Sequence, residues 1–395
     1  MSVDVDGPQA DVLRQSRELL DRVVTPNAGA WDRAQEMDEK VAGLLGAQGL
    51  LVPSLPEQAG GRGFDADRLG RFNEQAGRAC GSVRNLIGVQ GMVAHALHRW
   101  AKPPVRDRWV PRLAAGDVYG SFALTEPYSG SDARAAATVA ERRGGSVVLN
   151  GEKSWISFAA RAGVFLVFAR LDGHVAAVVV ERDTPGVHVT PQVDLLGLRA
   201  SHLAAVRFDD CAVPAEHVVA QGPLAFDAVA TAALDHGRFS TAWGSVGLAA
   251  ACLDAALDRA VTRQQFGVPI GDHQLVARMV TRMVCAVDAA RMQCEAATRA
   301  RSSGDRDAVR RTLIAKYVAS ENAFAVASDA VQVHGAYGCS AQSSVERHLR
   351  DAKIQCVIEG TSQIQETQIS QLTLTSWRAA QRRSEALGRP SDNGR

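Results

Sequence analysis

The residues best suited to chemistry lie near the C-terminus, in Arg350-Asp351-Ala352-Lys353-Ile354-Gln355-Cys356-Val357-Ile358-Glu359-Gly360-Thr361-Ser362-Gln363-Ile364-Gln365. A charged run gives way to a short apolar run, then to a single carboxylate followed at once by glycine and two hydroxyl residues. The order reads as a helix end feeding a tight turn. Ile354, Cys356, Val357 and Ile358 carry the chain inward, so Glu359 is expected to be poorly hydrated. Desolvation penalises the charged form, which raises a carboxyl pKa and makes a better base. Gly360 removes a side chain that would keep a ligand from the backbone beside Glu359, and Thr361 suits the cap of a helix running through Gln365. Taken alone, the same order also describes a capped helix start with an exposed glutamate.

Two further stretches carry polar groups in useful places. Leu124-Thr125-Glu126-Pro127-Tyr128-Ser129-Gly130-Ser131-Asp132 is a glycine-and-hydroxyl loop, rich in the N–H and O–H groups that hold a phosphate or the polar edge of a heterocycle. About twenty residues on, Lys153-Ser154-Trp155-Ile156-Ser157 brings an indole and a hydroxyl together on a strand, which equally describes a core tryptophan. His236, His273 and His334 read as structural or cofactor-edge residues, since a lone histidine on a helix more often satisfies a local hydrogen bond. Cys356 in its apolar run is expected to be an inert thiol with a raised pKa. Arg347, His348 and Arg350 form either a solvated helix face or a partner for Asp351. No cluster has metal-ligand spacing, so no metal is expected.

The elements that must position these residues follow from periodicity. Up to about residue 117 the apolar spacing is helical, interrupted by Pro53, Pro56 and a glycine-rich loop before a helix at Asp65 to Arg78. From about 118 to 222 short β-rich runs alternate with Gly, Pro and Asp turns and no helices, which predicts an antiparallel barrel or sandwich rather than a doubly wound parallel sheet. From 223 to 375 long Ala-rich amphipathic stretches at 228–263, 273–303, 306–334 and 345–372 predict a four-helix bundle. Residues 376–395 read as a polar, flexible tail. The expected class is therefore α+β with an α, β, α domain order.

Composition excludes several functions. The 395 residues are 46% hydrophobic and carry 44 Lys and Arg against 43 Asp and Glu, a net charge of +1. No bulk field draws the chain to nucleic acid or anionic lipid. Seven scattered cysteines without a C-x-x-C pair read as reduced thiols of a cytoplasmic protein, and no run is long and apolar enough to cross a bilayer.

Three more pieces complete a pattern: Asp235-His236-Gly237-Arg238, then Arg263-Gln264-Gln265-Phe266-Gly267 with Asp272-His273-Gln274, and Gln332-Val333-His334-Gly335-Ala336-Tyr337-Gly338. In this order, with the three stretches above, the chain resembles the acyl-CoA dehydrogenase family from about residue 8 to 374. The resemblance implies an FAD enzyme that oxidises an acyl thioester, with Glu359 as base and flavin N5 as hydride acceptor. It implies that Phe122, Leu124, Thr125, Gly130 and Ser131 contact FAD, that Trp155 packs on the flavin, and that Ser157 bonds near N5. Arg263, Gln265, Phe266, Gln274, Gln332 and Gly335 would hold the adenine and phosphates of a neighbouring subunit's FAD, so a homodimer or homotetramer is implied; Thr361 and Gln363 would complete the pocket. Ser131, Asp235, Arg238 and Gly360 match positions that meet a pantetheine arm. Some relatives place the base at the position of Gly237, which here can supply none. The segments 238–248, 183–187 and 350–360 also look like the branch that oxidises small hydroxyacyl groups on an acyl carrier protein in polyketide extender-unit pathways. The implied oxidant is an electron-transfer flavoprotein or oxygen. An oxidase or monooxygenase on the same fold, and a non-catalytic binding protein, are the alternatives.

Overall fold

The computed structural model describes residues 8–386. Six helices open the chain: α1 (Pro8–Leu19), α2 (Ala28–Ala34), α3 (Lys40–Ala47), α4 (Ala66–Ala79), α5 (Gly81–Trp100) and α6 (Pro103–Ala115). Asp65 caps α4 by accepting the Arg68 N–H at 2.9 Å, which fixes where the helix begins. Helix α5 is buried on almost every face, as its near-continuous apolar sequence requires.

The middle of the chain is a sheet of β1 (Tyr119–Ala123), β2 (Val139–Arg143), β3 (Ser146–Ile156), β4 (Ala162–Leu171), β5 (His174–Glu181), β6 (Val187–Pro191), β7 (Ala204–Pro214) and β8 (Val218–Gln221). The path runs β6-β7-β3-β2-β4-β5-β8, with β1 added beside β4. Most pairs are antiparallel, but β4 pairs in parallel with both β1 and β2, a mixture that strand spacing does not reveal. Strand β4 is buried on both faces. Val164, Leu166 and Phe168 pack toward α5 and α6, while Phe165, Val167 and Ala169 face the opposite core, the period of two that a strand imposes.

Helices α7 (Thr231–Thr262), α8 (Gln274–Ser302) and α9 (Ala308–His334) form the bundle, with a small hairpin of β9 (Gln264–Gln265) and β10 (Val268–Pro269) between α7 and α8. The expected fourth helix is two: α10 (Ser344–Gln355) and α11 (Ser362–Ala386), split by the turn that holds Glu359. Helix α11 continues to Ala386, so residues 376–386 of the expected tail are helical and 387–395 lie outside the described residues. The N-terminal helices and the bundle share one core, in which Phe72, Phe239, Trp243 and Cys294 pack together. Helices α4 and α7 approach so closely that a Cβ on Gly77 would fall 2.1 Å from the Gly244 carbonyl oxygen. No described helix is long and apolar enough to cross a membrane.

Candidate active site

Helix α10 is held by buried polar contacts that aim its C-terminal turn. Arg350 pairs with Asp32 of α2 at 2.6 Å and with Glu346 of its own helix at 2.6 Å, and Asp351 accepts the Leu198 N–H at 2.6 Å. His348 is buried and burial lowers its pKa to about 3. The charged run is thus a buried clamp, and Arg350 bonds to Asp32 rather than to Asp351.

Beyond α10 the backbone turns sharply, with Glu359 at φ 58° and Gly360 at φ 91°. Only the glycine takes such a conformation without strain, so the turn needs fastening. Thr361 supplies part of it, its Oγ1 accepting the Ile364 N–H at 3.3 Å and capping α11 as expected. The rest comes from three donors. Arg238 Nε gives a hydrogen bond to the Glu359 carbonyl at 2.9 Å, Lys316 Nζ to the Gly360 carbonyl at 2.8 Å, and Gln365 Nε2 to both, at 3.0 and 3.1 Å.

Glu359 as a whole is half-buried, and its Oε2 is buried without a hydrogen-bond partner among the described residues. The carboxylate lies against α7 at Gly237, where a Cβ would stand 2.6 Å from Cδ. Burial pushes the carboxyl above its ordinary pKa range, although Arg238, Arg84 and Lys316 pull the other way. Val357 of the apolar run is exposed and Ile358 half-buried, so the inward course of the chain rests on Cys356 and on the turn, not on the whole run. Cys356 is buried, and burial raises its thiol to about 11.

Two cations beside Glu359 escaped the sequence reading. Arg84, 2% exposed on α5, donates to Thr241 Oγ1 at 3.2 Å and Gln355 Oε1 at 3.0 Å, and burial lowers it to about 10. Lys316 is 0% exposed on α9, and burial lowers it to about 8. In each case the legible signal was a charge embedded in an apolar helix face, a position such residues almost never take unless paired or functional.

The glycine-and-hydroxyl loop is braced from below. Glu126 accepts the N–H groups of Ala137 at 2.6 Å and Thr138 at 2.9 Å and pairs with Lys153 at 2.7 Å, both side chains being buried. Lys153 also bonds the Leu124 carbonyl, while the Thr125 carbonyl accepts the Ser154 N–H. Phe122 packs on Phe168 with ring centroids 5.0 Å apart. Gly130 and Ser131 are exposed, and Tyr128 projects fully into solvent at 102%. Trp155 is no core residue: at φ 59°, where the pairing of β3 with β7 shifts register between Lys153 and Ile156, it stands 57% exposed, its N–H donating to Gln192 Oε1 at 3.0 Å. Ser157 Oγ accepts from Asn85 Nδ2 at 3.2 Å, which ties this segment to α5 one residue from Arg84.

The remaining positions divide. Asp235 is bound to Arg301 at 2.5 Å, leaving its buried Oδ1 unpartnered among the described residues; Arg238 grips the Glu359 turn; Gln363 is exposed. Arg263, Gln265, Phe266, Gln274, Gln332 and Gly335 gather at the other end of the bundle, all exposed. The sixteen helical steps of α9 from Lys316 to Gln332 span about 24 Å, so one chain does not bring this group to Glu359. His273 and His334 bond backbone carbonyls there, and His236 lies tilted against His95 with centroids 5.0 Å apart. The described residues contain no cluster of three or more potential metal ligands.

Family models match almost the whole chain: acyl-CoA dehydrogenase N-terminal domain over residues 8–117, middle domain over 121–211 and C-terminal domain over 227–374. Human mitochondrial short-chain specific acyl-CoA dehydrogenase is 32% identical over 384 residues, covering 96% of this chain and 93% of that protein. The crystal structure of glutaryl-CoA dehydrogenase from Mycobacterium smegmatis superposes with a TM-score of 0.90 at 28% identity, covering 94% of this chain and 95% of the other. FkbI, for biosynthesis of the methoxymalonyl extender unit of Fk520, superposes with a TM-score of 0.84 at 35% identity, covering 91% and 99%.

Proposed function

This chain belongs to the acyl-CoA dehydrogenase family and is an FAD-dependent oxidoreductase; from that premise we propose that it oxidises a small acyl or hydroxyacyl thioester, with Glu359 as the base. The observation that carries the reading is the Glu359 Oε2, buried, unpartnered and lodged in space that Gly237 leaves open. A carboxylate with raised proton affinity and a free lone pair is equipped to take a weakly acidic proton from carbon α to a thioester, or from a hydroxyl. Gly237 carries no side chain, so no second base stands at its position.

The residues fit FAD. A Cβ built on Gly130 finds nothing nearer than Thr125 Cγ2 at 3.8 Å, so the loop is open to a ligand, and Trp155 offers an uncovered indole face. Phe122, Leu124, Thr125, Gly130, Ser131, Trp155 and Ser157 would hold the flavin and pyrophosphate, with Thr361 and Gln363 closing the pocket. Arg263, Gln265, Phe266, Gln274, Gln332 and Gly335 of a second copy would hold the adenine end. When bound, FAD supplies the two-electron acceptor that no side chain provides.

The protein's own groups do the rest. Glu359 accepts the proton at Oε1 or Oε2. Its backbone N–H, which donates to no backbone carbonyl among the described residues, would stabilise the developing enolate oxygen. Arg238 fixes the turn, and Asp235, Ser131 and Gly360 line the expected path of the pantetheine arm. Arg84 places a buried positive charge beside the base, and this favours an acyl group bearing an oxygen or carboxylate over a plain alkyl chain. Similarity to FkbI, for biosynthesis of a methoxymalonyl extender unit, supports the same choice of an oxygen-bearing acyl group. A reaction with oxygen on the same fold has less support, since it gives Glu359 no task.

Anaerobic reduction of the purified holoenzyme by butyryl-CoA, glutaryl-CoA and small hydroxyacyl thioesters on CoA and on acyl carrier protein tests the reading. Flavin bleaching by an oxygen-bearing thioester, with loss of two hydrogens by mass spectrometry, is expected. Bleaching by none of them would overturn it.

A further inference from the structure

We infer that Lys316 is a positioning residue for Glu359, clamping the catalytic turn from α9 and holding the buried carboxylate ionised; this rests on the reading of Glu359 as the base. The side chain is 0% exposed, and its one hydrogen-bond acceptor among the described residues is the Gly360 carbonyl, at 2.8 Å. That carbonyl already accepts from Gln365 Nε2 at 3.1 Å, so Lys316 is not required to satisfy it. Taking an ammonium out of water is costly, and a methionine of similar shape would fill the same space without that cost. What a methionine lacks is charge.

The charged and titratable groups around Lys316 give that charge a purpose. Glu359 and Cys356 face it from the α10–α11 turn, Arg238 from α7 and Glu321 from its own helix. Cys356 is held protonated by its own raised pKa, and Glu321 receives a hydrogen bond from Ser362. Glu359 is the anion whose Oε2 has no partner of its own. A base in this position faces a conflict: burial makes it strong but also drives it toward the protonated form, in which it cannot act. Arg84 of α5 favours the charged form as well, while Lys316 and Arg238 relieve the conflict from the backbone side. Each bonds a carbonyl of the turn while its charge favours the carboxylate, leaving both carboxylate oxygens free for the substrate proton. The same bonds hold Glu359 in its left-handed conformation, on which the direction of the carboxylate depends.

The test uses FAD-loaded enzyme and the variants Lys316→Met, without donor or charge, and Lys316→Gln, with a donor but no charge. Two quantities are read: the acid limb of the pH profile of anaerobic flavin bleaching by whichever thioester bleaches the wild type, and the substrate-free infrared titration of the Glu359 carboxyl band, assigned by its loss in Glu359→Gln. Both variants are expected to move the band's titration and the acid limb to higher pH. Lys316→Met is expected to lose in addition up to about 100-fold in bleaching rate at neutral pH, the scale of a displaced catalytic group. A purely structural lysine would lower flavin content or stability with both titrations unmoved, and that outcome would overturn the inference. If Lys316→Met folds poorly, Lys316→Gln decides by the same titration. If Glu359→Gln still bleaches, the assignment of the base fails, while the infrared titration continues to report whether Lys316 controls the carboxyl.

Discussion

The two ends of the helical bundle are built on opposite principles. The Glu359 carboxylate is enclosed by a strained turn, three donors on the turn's carbonyls and three buried cations, all from one chain. At the far end, Arg263, Gln265 and Phe266 stand bare, with Phe266 96% exposed at φ 52° on the β9–β10 hairpin and only the edge of His273 beside it. An aromatic held at positive φ with nothing to pack on gains nothing from folding alone. On the proposed reading, proton chemistry is preorganised within the single chain, whereas cofactor retention would be left to surfaces that FAD and a second copy complete. Trp155 belongs with the second group, although it lies in the middle domain.

Mutations can break this contrast, and the enclosed end should respond most. Glu359→Gln keeps the shape and a hydrogen-bonding head but cannot take a proton; flavin bleaching is expected to fall about 1000-fold or more with FAD still bound, measured by anaerobic stopped-flow. Gly237→Ala should be nearly as damaging for a different reason. Its Cβ would meet Glu359 Cδ at 2.6 Å, so the carboxylate must move, and about 10- to 100-fold is expected to be lost in bleaching. Alanine favours a helix interior over glycine by about 0.5–1 kcal/mol, so thermal unfolding should hold steady and separate displacement from misfolding. At the bare end, Phe266→Ala should leave the apo chain's unfolding within about 0.5 kcal/mol, since the side chain packs on so little. Its expected effect is a lower flavin-to-protein ratio after dilution and weaker association of copies by sedimentation. An apo chain strongly destabilised by Phe266→Ala would erase the distinction.

The enclosed end was also the more legible one, for physical reasons. A carboxylate after an apolar run, followed by glycine and a capping threonine, writes its turn locally, and Thr361 Oγ1 caps α11 as its position implies. Gly237 was readable as an absence of a side chain. Lys316 and Arg84 were not singled out, because what they touch is fixed only when α9 and α5 pack against the turn; the sequence shows them merely as charges out of place on apolar faces. Trp155 misled in one of its two readings because an aromatic on a strand normally packs in a core, and the positive φ that turns it outward has no signature in residue type. The parallel pairing of β4 with β1 and β2 depends on contacts 31 to 44 residues apart in the chain, beyond what local periodicity encodes.

The smallest effect concerns stability, and it tests whether enclosure itself carries a cost. Burial lowers Lys316 from 10.5 to about 8, so the folded chain releases this proton more readily than the unfolded one. Below pH 8 both states hold it, and the folded state bears the full penalty of a buried ammonium. Between pH 8 and 10.5 the unfolded chain alone retains the proton, so this group's contribution to stability rises with pH and levels off above 10.5. Lys316→Met removes the penalty. At pH 7 the variant should therefore unfold at a higher temperature than the wild type, by a margin worth at most about 3 kcal/mol, and the margin should close as the pH is raised from 8 to 10.5. Calorimetry of the two proteins across that range checks it. A variant less stable at every pH would mean that the ammonium is a net support of the fold. A margin that closes as expected would mean that the chain tolerates an unfavourable charge at the end of the bundle where it faces the proposed catalytic turn, as the proposed reading has Phe266 tolerated at the other end for the sake of a ligand.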